Sequence, residues 1–239
     1  KLPGTIYTAA KEIEAVGGQC LPCVVDVRDE RAVQAAIDKA VERFGGIDVL
    51  INNASAISLT GTLETPMKTY DLMNNINTRG TFLMSQKCLP HLLKSRNPHI
   101  LNISPPLNMK PEWFGPHVAY TMAKYGMSMC VLGMHEEFKD EGVAVNALWP
   151  RTMILTAATG VARGNTEEVK KMCRSAEIMA DAAYVILSKN SKEYTGQFAM
   201  DDEVVIEAGV KDLGRYAVEP GNPLQLDIFV DSYGPTSKL

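Results

Sequence analysis

The sequence predicts an α/β fold in which helices cover both faces of a doubly wound parallel sheet. Short apolar segments, typical of buried strands, alternate along the chain with longer segments whose apolar residues recur every three or four positions. Small or polar residues follow nearly every apolar segment, as expected at the carboxyl ends of parallel strands. Strands that alternate with helices form βαβ units, whose right-handed crossovers place helices on both faces of the sheet.

The predicted elements follow one another without a linker that would divide the chain. The predicted helices cover residues 5–16, 29–44, 67–93, 118–139 and 166–188, with 67–93 either one long helix or two in sequence. The predicted strands cover residues 20–25, 47–51, 100–103, 143–148 and 197–200. The residues after 201 are richer in Gly and Pro and lack periodicity. We therefore expect a domain over residues 1–200 and a surface extension over 201–239, which wraps the domain or a neighbouring subunit.

The composition is that of an ordinary soluble globular protein. The chain has 239 residues, of which 46% are hydrophobic and 22% charged, and its formal net charge is −4. This mildly acidic balance argues against nucleic acid or an anionic membrane as the main partner. Charges or prolines interrupt the apolar runs, so no transmembrane segment is predicted.

The cysteines and histidines predict no metal site. The chain has five cysteines, which favours a reducing compartment. Cys20 and Cys23 form a Cys-x-x-Cys pair, but residues three apart on a strand point to opposite faces. A second pair or nearby histidines would be needed for zinc, and the four histidines show no ligand spacing.

Tyr120 and Lys124 are the candidate catalytic pair. They stand four residues apart in the predicted helix 118–139, so both side chains lie on one face of that helix. A lysine beside a tyrosine favours the phenolate and lowers the pKa of the phenol from about 10. Such a tyrosine can exchange a proton with an alcohol or carbonyl oxygen near neutral pH. The alternative is a surface lysine beside a half-buried tyrosine.

Further polar residues follow the predicted strands at the edge where ligands bind in open α/β sheets. They are Asp26, the Asn52-Asn53-Ala54-Ser55 block, Ser104, and Pro150 with Arg151. Each also has a structural interpretation, because the two asparagines fit a turn, Ser104 fits a strand end, and Asp26 or Asp29 fits a helix cap. Their placement at one edge is what favours a site.

Taken together, these residues resemble the short-chain dehydrogenase/reductase family from Asp26 through Gly196. The matching pieces are Asp26, Asn52-Asn53-Ala54-Ser55, Asn77-Thr78-Arg79-Gly80, Tyr120 with Lys124, and Tyr194-Thr195-Gly196-Gln197. The resemblance implies a Rossmann-like sheet and an NAD(P)-dependent oxidoreductase that interconverts a hydroxyl and a carbonyl. The lipid-like substrate that we expect depends on the resemblance and on the apolar loops 57–59 and 153–155.

The resemblance also implies a role for each matching residue. Tyr120 is the general acid/base, and Lys124 lowers its pKa and binds the nicotinamide ribose. Asn77 kinks its helix and holds a water that links Lys124 to a proton relay. The residues implied to bind NADP or NAD are Asp26 at the adenine ring, Asn53 and Ala54 near the ribose, Lys124, and Pro150.

The chain departs from the family pattern in three places. The glycine-rich turn that cradles the pyrophosphate is missing, together with the first βαβ portion, so we expect an incomplete sheet and no tight dinucleotide binding by residues 1–239 alone. The family usually has its catalytic serine one position after Ser104, and in this chain Pro105 occupies that position. Arg151 replaces a glycine, and we expect it to reach an anionic group of the cofactor or substrate.

The sequence leaves a second function open, that of a binding or regulatory module that keeps the fold with weak or no catalysis. Members of the family often associate through the helices that correspond to 67–93 and 118–139, so we expect a homo-oligomer. Ser237-Lys238-Leu239 matches a peroxisomal address that an import receptor reads at a free C-terminus, with coincidence as the alternative. The expected location is the peroxisome, with the mitochondrion as a second one.

Overall fold

The computed structural model describes residues 4–164 and 166–234, excluding the side chains of 161 and 162. Its centre is a four-stranded parallel sheet in the order β1-β2-β3-β4. The strands are β1 (Val49–Asn52), β2 (His99–Ile103), β3 (Ala144–Trp149) and β4 (Phe198–Met200). Each strand lies beside the next one along the chain, and helices form the crossovers between them. The predicted α/β class with a parallel sheet is confirmed.

Most helices lie within the predicted segments, but the helices at 157–163 and 201–207 were not predicted. The helices are α1 (Ile6–Ala15), α2 (Glu30–Phe44), α3 (Met67–Met73), α4 (Gly80–Leu92), α5 (Val118–Phe138), α6 (Ala157–Arg163), α7 (Glu167–Lys171), α8 (Glu177–Ser188) and α9 (Asp201–Glu207). The N-cap of α2 is Asp29, whose carboxylate accepts hydrogen bonds from two backbone N–H groups of the first turn. Gly45 ends this helix in the left-handed conformation, with φ 86°.

The predicted segment 67–93 is continuous but not uniform. A π-helical stretch, Asn74–Arg79, joins α3 to α4, and such stretches are frequent at functional sites. It packs closely against α5, where a Cβ on Gly126 would lie 2.2 Å from the Thr78 hydroxyl oxygen. The same hydroxyl donates to the carbonyl of Ala123 at 3.0 Å. Only glycine at 126 permits this approach of the two helices.

Two predicted elements are wrong. Residues 20–25 form no strand, because a strand needs a hydrogen-bonded neighbour and the described residues supply none beside them. The predicted helix 166–188 is interrupted between α7 and α8. Arg174 lies in that interruption, where its backbone pairs with Met153 and Leu155, which takes it out of the helical hydrogen-bond pattern.

Apolar side chains fill both faces of the sheet. On one face α2, α4 and α5 pack against β1 to β3, and on the other α8 and α9 pack against β2 and β3. Strand β3 is buried at every residue, whereas β1 alternates between exposed and buried residues. Within 4–164 and 166–234, every helix is too short or too polar to cross a lipid bilayer.

The chain after β4 packs against the domain. Helix α9 begins directly at Asp201, and a 3-10 turn follows at Gly214–Tyr216. Leu226 then forms an antiparallel bridge with Thr152, and residues up to 231 run across the carboxyl edge of the sheet. The division at residue 200 stays a prediction, but the extension supplies buried side chains to the core.

Candidate active site

Tyr120 and Lys124 lie on one face of α5, near the carboxyl ends of the strands. Each residue is only 4% exposed. The Lys124 ammonium donates to the carbonyl of Ile103, at the end of β2, at 2.9 Å. It also lies 5.3 Å from the ring centroid of Trp149, at the end of β3. The lysine therefore ties α5 to two strand ends, as the sequence predicted for this pair.

The electrostatics of the pair differ from the prediction. Burial lowers the pKa of Lys124 to about 8, although Asp227 nearby favours its charged form. Burial also raises the pKa of Tyr120, and the charge of Asp227 raises it further. The expected lowering of the tyrosine pKa is wrong for this arrangement, because the phenol is desolvated.

Asn77 lies at the centre of the π-helical stretch and is fully buried. Its side-chain oxygen accepts from the backbone N–H of Ala56 at 2.8 Å, and its amide nitrogen donates to the carbonyl of the same residue at 3.0 Å. Both bonds fix the loop that follows β1. This places Asn77 between that loop and α5, while its predicted role in a proton relay stays a prediction.

Ser104 directly follows β2 and is completely buried. Its hydroxyl has no hydrogen-bond partner within residues 4–164 and 166–234. An unpaired buried hydroxyl costs free energy. The hydroxyl of Ser104 is therefore suited to form a hydrogen bond with a ligand or a water molecule. The next residue is tied to α5, since Ser128 donates to the carbonyl of Pro105 at 2.6 Å.

Pro150 and Arg151 follow β3 and are both buried. The Arg151 guanidinium forms an ion pair with Asp202 at 2.8 Å and a second one with Glu203, both on α9. Its backbone N–H donates to Asp201 at 2.8 Å. The expectation that Arg151 reaches an anionic group of the cofactor or substrate is therefore wrong, since carboxylates of this chain hold it.

Three of the predicted cofactor-binding residues, Asp26, Asn53 and Ala54, are exposed. Arg28 binds the Asp26 carboxylate at 2.6 Å and holds its pKa down at about 2. Asn53 and Ala54 are exposed directly after β1. The neighbouring Asn52 is buried instead, where it donates to Asn102 at 2.8 Å and joins β1 to β2. Binding of a cofactor by these residues stays a prediction.

The residues that cover Tyr120 were not predicted from the sequence. We call residues 225–231 the strap. Its Phe229 stacks on Tyr120 with 6.3 Å between ring centroids and 21° between the planes. Asp227 of the strap is the charge that acts on Tyr120 and Lys124, and burial raises its own pKa to about 7. The unusual density of apolar and acidic residues in Leu226-Asp227-Ile228-Phe229-Val230-Asp231 was the available signal.

The apolar loops expected near the site are part of the packing. Ile57 and Leu59 pack against the cluster that contains Tyr120, while Met153 and Ile154 are buried. Among the described residues, no group of histidine, cysteine or acidic side chains has the arrangement of a metal site.

Comparison with known proteins identifies the family. The family model described as short chain dehydrogenase matches residues 3–167, which is more than half of the chain. The chain belongs to the short-chain dehydrogenase/reductase family. Members of this family use NAD or NADP, and the Tyr120 and Lys124 pair stands within the matched segment.

Curated members of the family are similar along nearly the whole chain. Hydroxysteroid dehydrogenase-like protein 2 from Danio rerio is 64% identical over 231 residues, which are 97% of this chain and 55% of that protein. The human protein of that name is 60% identical over 233 residues, or 98% of this chain and 55% of that protein. The chain thus spans about half the length of the curated relatives that it matches.

Solved structures of the family agree with the fold. A putative dehydrogenase from Xanthomonas campestris superimposes with a TM-score of 0.93 at 51% identity, over 97% of this chain and 84% of that one. A 7α-hydroxysteroid dehydrogenase complexed with NADH and 7-oxo glycochenodeoxycholic acid superimposes with a TM-score of 0.71 at 24% identity, over 82% of this chain and 78% of that one. The short-chain dehydrogenase/reductase domain is thus Rossmann-like in its described part.

Proposed function

We propose that this chain is the oxidoreductase part of a protein that interconverts a hydroxyl and a carbonyl on a lipid-like substrate with NAD or NADP. The observation that carries the proposal is the buried pair of Tyr120 and Lys124, placed by α5 beside the ends of β2 and β3. In parallel α/β sheets this edge is where ligands bind. Family membership supports the class of reaction.

The residues at this edge fit the nicotinamide end of the cofactor. Lys124 offers a buried ammonium for a ribose hydroxyl, and Ser104 offers a hydroxyl that lacks a partner within the described residues. The bound cofactor supplies or accepts the hydride. The pyrophosphate would need a phosphate-binding turn, and the sequence has no Gly-x-x-x-Gly-x-Gly.

The side chains of this protein carry out the proton transfer that accompanies the hydride transfer. Tyr120 gives its phenolic proton to the carbonyl oxygen during reduction and takes it back from the alcohol during oxidation. Lys124 supports the phenolate once the phenol is exposed to the ligand. The hydroxyl of Ser104 donates a hydrogen bond to the same substrate oxygen and holds that oxygen in place.

Apolar packing around Tyr120 supports the lipid-like substrate. Ile57, Leu59 and Leu107 are partly buried around the same cluster, and Phe229 covers the phenol. A polar substrate would find few partners there, whereas an apolar one gains by leaving water. The names of the curated relatives, which refer to hydroxysteroids, are consistent with this class.

The second candidate is a binding or regulatory module with weak catalysis. One observation favours it, namely that the strap covers Tyr120 and burial raises the pKa of the phenol. A phenol that stays covered would not exchange protons with a substrate. The two functions therefore differ in whether any carbonyl compound is turned over.

The test is an assay of the full-length protein with a panel of ketones and secondary alcohols, each with NADH, NADPH or their oxidised forms. We expect turnover of apolar compounds, and a loss of about 100-fold in Lys124→Met, since positioned proton-transfer groups contribute about that much or more. Lys139→Met is the matched control, because it makes the same change at an exposed position after α5. Absence of turnover across the panel would favour the binding module.

We further propose that the protein forms homo-oligomers through α4 and α5. Large apolar side chains are exposed there, at Phe82 on α4 and at Met122, Met129 and Leu132 on α5. Charged substitutions such as Leu132→Glu should shift the mass measured by light scattering to that of the monomer. An unchanged mass would remove this face as the interface.

Peroxisomal import is the proposal for location, with the mitochondrion as the second location. The tripeptide Ser237-Lys238-Leu239 lies outside the described residues, so the proposal depends on the sequence motif alone. Deletion of the tripeptide should abolish binding to the import receptor in a pull-down with the purified proteins. Retained binding would contradict the proposal.

A further inference from the structure

The strap is fixed at both of its ends. At its inner end, Gln225 accepts from the backbone N–H of Met153 at 2.9 Å, and the Asp227 N–H donates to the carbonyl of Arg151 at 3.0 Å. At its outer end, the Asp231 carboxylate accepts from Trp113 at 2.9 Å and pairs with Lys110 at 2.7 Å. The inner end is held by backbone bonds, and the outer end by the side-chain bonds of Asp231 and by Arg151, which donates to the carbonyl of Ser232 at 3.3 Å.

The outer end is the weaker attachment. The side chains of Lys110 and Asp231 are 53% and 39% exposed. Exposed ion pairs contribute little to stability, because water and salt screen them. Asn108 adds one further hydrogen bond to Asp231, at 2.9 Å. The strap can therefore separate at Asp231 while its inner end stays in place.

Between the two ends, Phe229 enters a cluster of aromatic rings. It is 1% exposed and contacts the rings of Tyr120, Tyr125, Trp149, His117 and Trp113, with centroid distances from 5.3 to 6.3 Å. Its backbone has φ 70°, a left-handed conformation that bulky residues rarely adopt. Such a conformation persists only where the surrounding packing maintains it, and it is found at sites that change state.

Phe229 also separates Tyr120 from the neighbouring cleft. A cleft of about 390 Å³ lies between loop 106–109 and the strap, and its walls include Phe229, Arg151 and Met200. Tyr120 does not line this cleft. Phe229 thus borders the cleft while its ring stacks on Tyr120.

From these observations we infer that the strap is a closed flap over Tyr120, and that Phe229 holds the position of a flat, ring-sized apolar part of the substrate. The substrate enters through the cleft and displaces Phe229, and the strap opens at Asp231. This deepens the proposed function and rests on it for the role of Tyr120. An apolar ring that replaces Phe229 regains the same aromatic contacts, which makes the flap selective for such groups.

The test measures flap opening without turnover. The chain has two tryptophans, Trp113 and Trp149, and both contact Phe229. Acrylamide quenching of their fluorescence therefore reports exposure of the cluster. The flat apolar dye anilinonaphthalene sulfonate serves as the probe for the emptied ring position, and its dissociation constant is measured by fluorescence titration.

We expect Phe229→Ala to bind the dye about tenfold more tightly than the parent protein, since one vacated aromatic position accounts for roughly that factor. Acrylamide quenching should rise about twofold as the rings lose their cover. Asp231→Ala should change both readings in the same direction, and it removes an exposed side chain without touching the core. This second variant keeps the inference testable if Phe229→Ala fails to fold.

The matched control is Phe114→Ala. Phe114 contacts Tyr125 in the same region at 5.3 Å but lies outside the strap. It should leave dye binding within about twofold of the parent. If Asp231→Ala gives the parent values, or if Phe114→Ala gives the same rise as Phe229→Ala, the flap is overturned.

A second measurement separates this inference from the proposed function. With the panel of carbonyl compounds, Asp231→Ala in the full-length protein should lower KM for planar apolar ketones by about threefold and leave kcat near its parent value, because the flap opens more easily. Turnover by the parent with unchanged KM in this variant overturns the flap alone. Absence of turnover in every variant overturns the proposed function, and the dye and quenching results then decide the flap.

Discussion

The two edges of the sheet differ in how far their strand residues are buried. Beside β1, Val49 and Ile51 are 38% and 46% exposed, and residues 20–25 pass nearby without pairing as a strand. Beside β3, every strand residue is buried, and α9 and the strap cover the carboxyl edge. Asp26, the predicted contact of the adenine ring, lies on the first side, and Tyr120 and Lys124 lie on the second.

The difference indicates that the catalytic half is held together by packing among its own elements. Helix α5, the ends of β2 and β3, and the strap supply each other with buried contacts, including the Trp149 N–H bond to the carbonyl of Ile228 at 3.0 Å. None of these contacts involves the exposed side of β1. The positions of Tyr120 and Lys124 should therefore be insensitive to changes at the exposed Val49 and Ile51 of β1, and sensitive to changes around the strap.

The largest effect should come from breaking the charge pair beside β3. Arg151→Met keeps the length of the side chain but removes the guanidinium that pairs with the buried Asp202 carboxylate at 2.8 Å. Loss of one partner of a buried pair should lower the free energy of unfolding by about 3 kcal/mol. Urea denaturation of both proteins measures this. A loss below about 1 kcal/mol, the range of exposed pairs, would show that the pair is not buried in solution.

A smaller, pH-dependent effect should follow from Asp227→Asn. Burial raises the pKa of Asp227 to about 7, so the folded protein binds this proton more tightly than the unfolded chain does. The proton on Asp227 stabilises the folded protein fully below pH 3.8, the pKa of this group in the unfolded chain. This stabilisation is lost as the pH rises to about 7. The asparagine removes that loss, and it can still accept the backbone bond of Ile228.

At pH 8 the Asp227→Asn variant should be more stable than the parent by about 2 kcal/mol, and near pH 4 the two should be equal. Urea denaturation at several pH values measures the difference. Asp71→Asn is the control, because it makes the same change at an exposed position on α3. A difference that does not vary with pH would contradict the buried placement of Asp227.

The smallest effect on the free energy of unfolding should occur at the exposed edge of the sheet beside β1. Ile51→Thr keeps the β-branched shape at a half-exposed position of β1 and should change the free energy of unfolding by less than about 0.5 kcal/mol. The melting temperature measures it. A loss as large as that of Arg151→Met would mean that something covers this edge in solution, and the contrast between the two sides would disappear.

Much of the fold followed from the sequence, and so did the position of several candidate site residues at one edge of the sheet. Because residues four apart share one face of a helix, Tyr120 and Lys124 could be predicted to lie together on α5. Ser104 and Arg151 could be predicted at the same edge, because parallel strands have their carboxyl ends at one edge of the sheet. Periodicity could not show that residues 20–25 lack a neighbouring strand, since pairing is not a local property. The glycine pattern at Gly126 likewise carried no sign of its contact with Thr78.

The cover over Tyr120 could not be predicted for the same reason. Phe229 lies more than a hundred residues along the chain from Tyr120, in a segment without helical or strand periodicity. The direction of the tyrosine pKa depends on burial, which opposes the phenolate, and on the charge of Asp227 in the strap, which opposes it further. The sequence motif identified the pair, and only the packing of the strap reversed the expected pKa.

The most direct test of the role of Tyr120 is to measure turnover and cofactor affinity together in Tyr120→Phe of the full-length protein. The phenyl ring keeps the stacking with Phe229, so only the proton donor is removed. We expect kcat to fall by at least about 100-fold, with the dissociation constant of the cofactor unchanged within about twofold. Turnover within tenfold of the parent would show that another group transfers the proton.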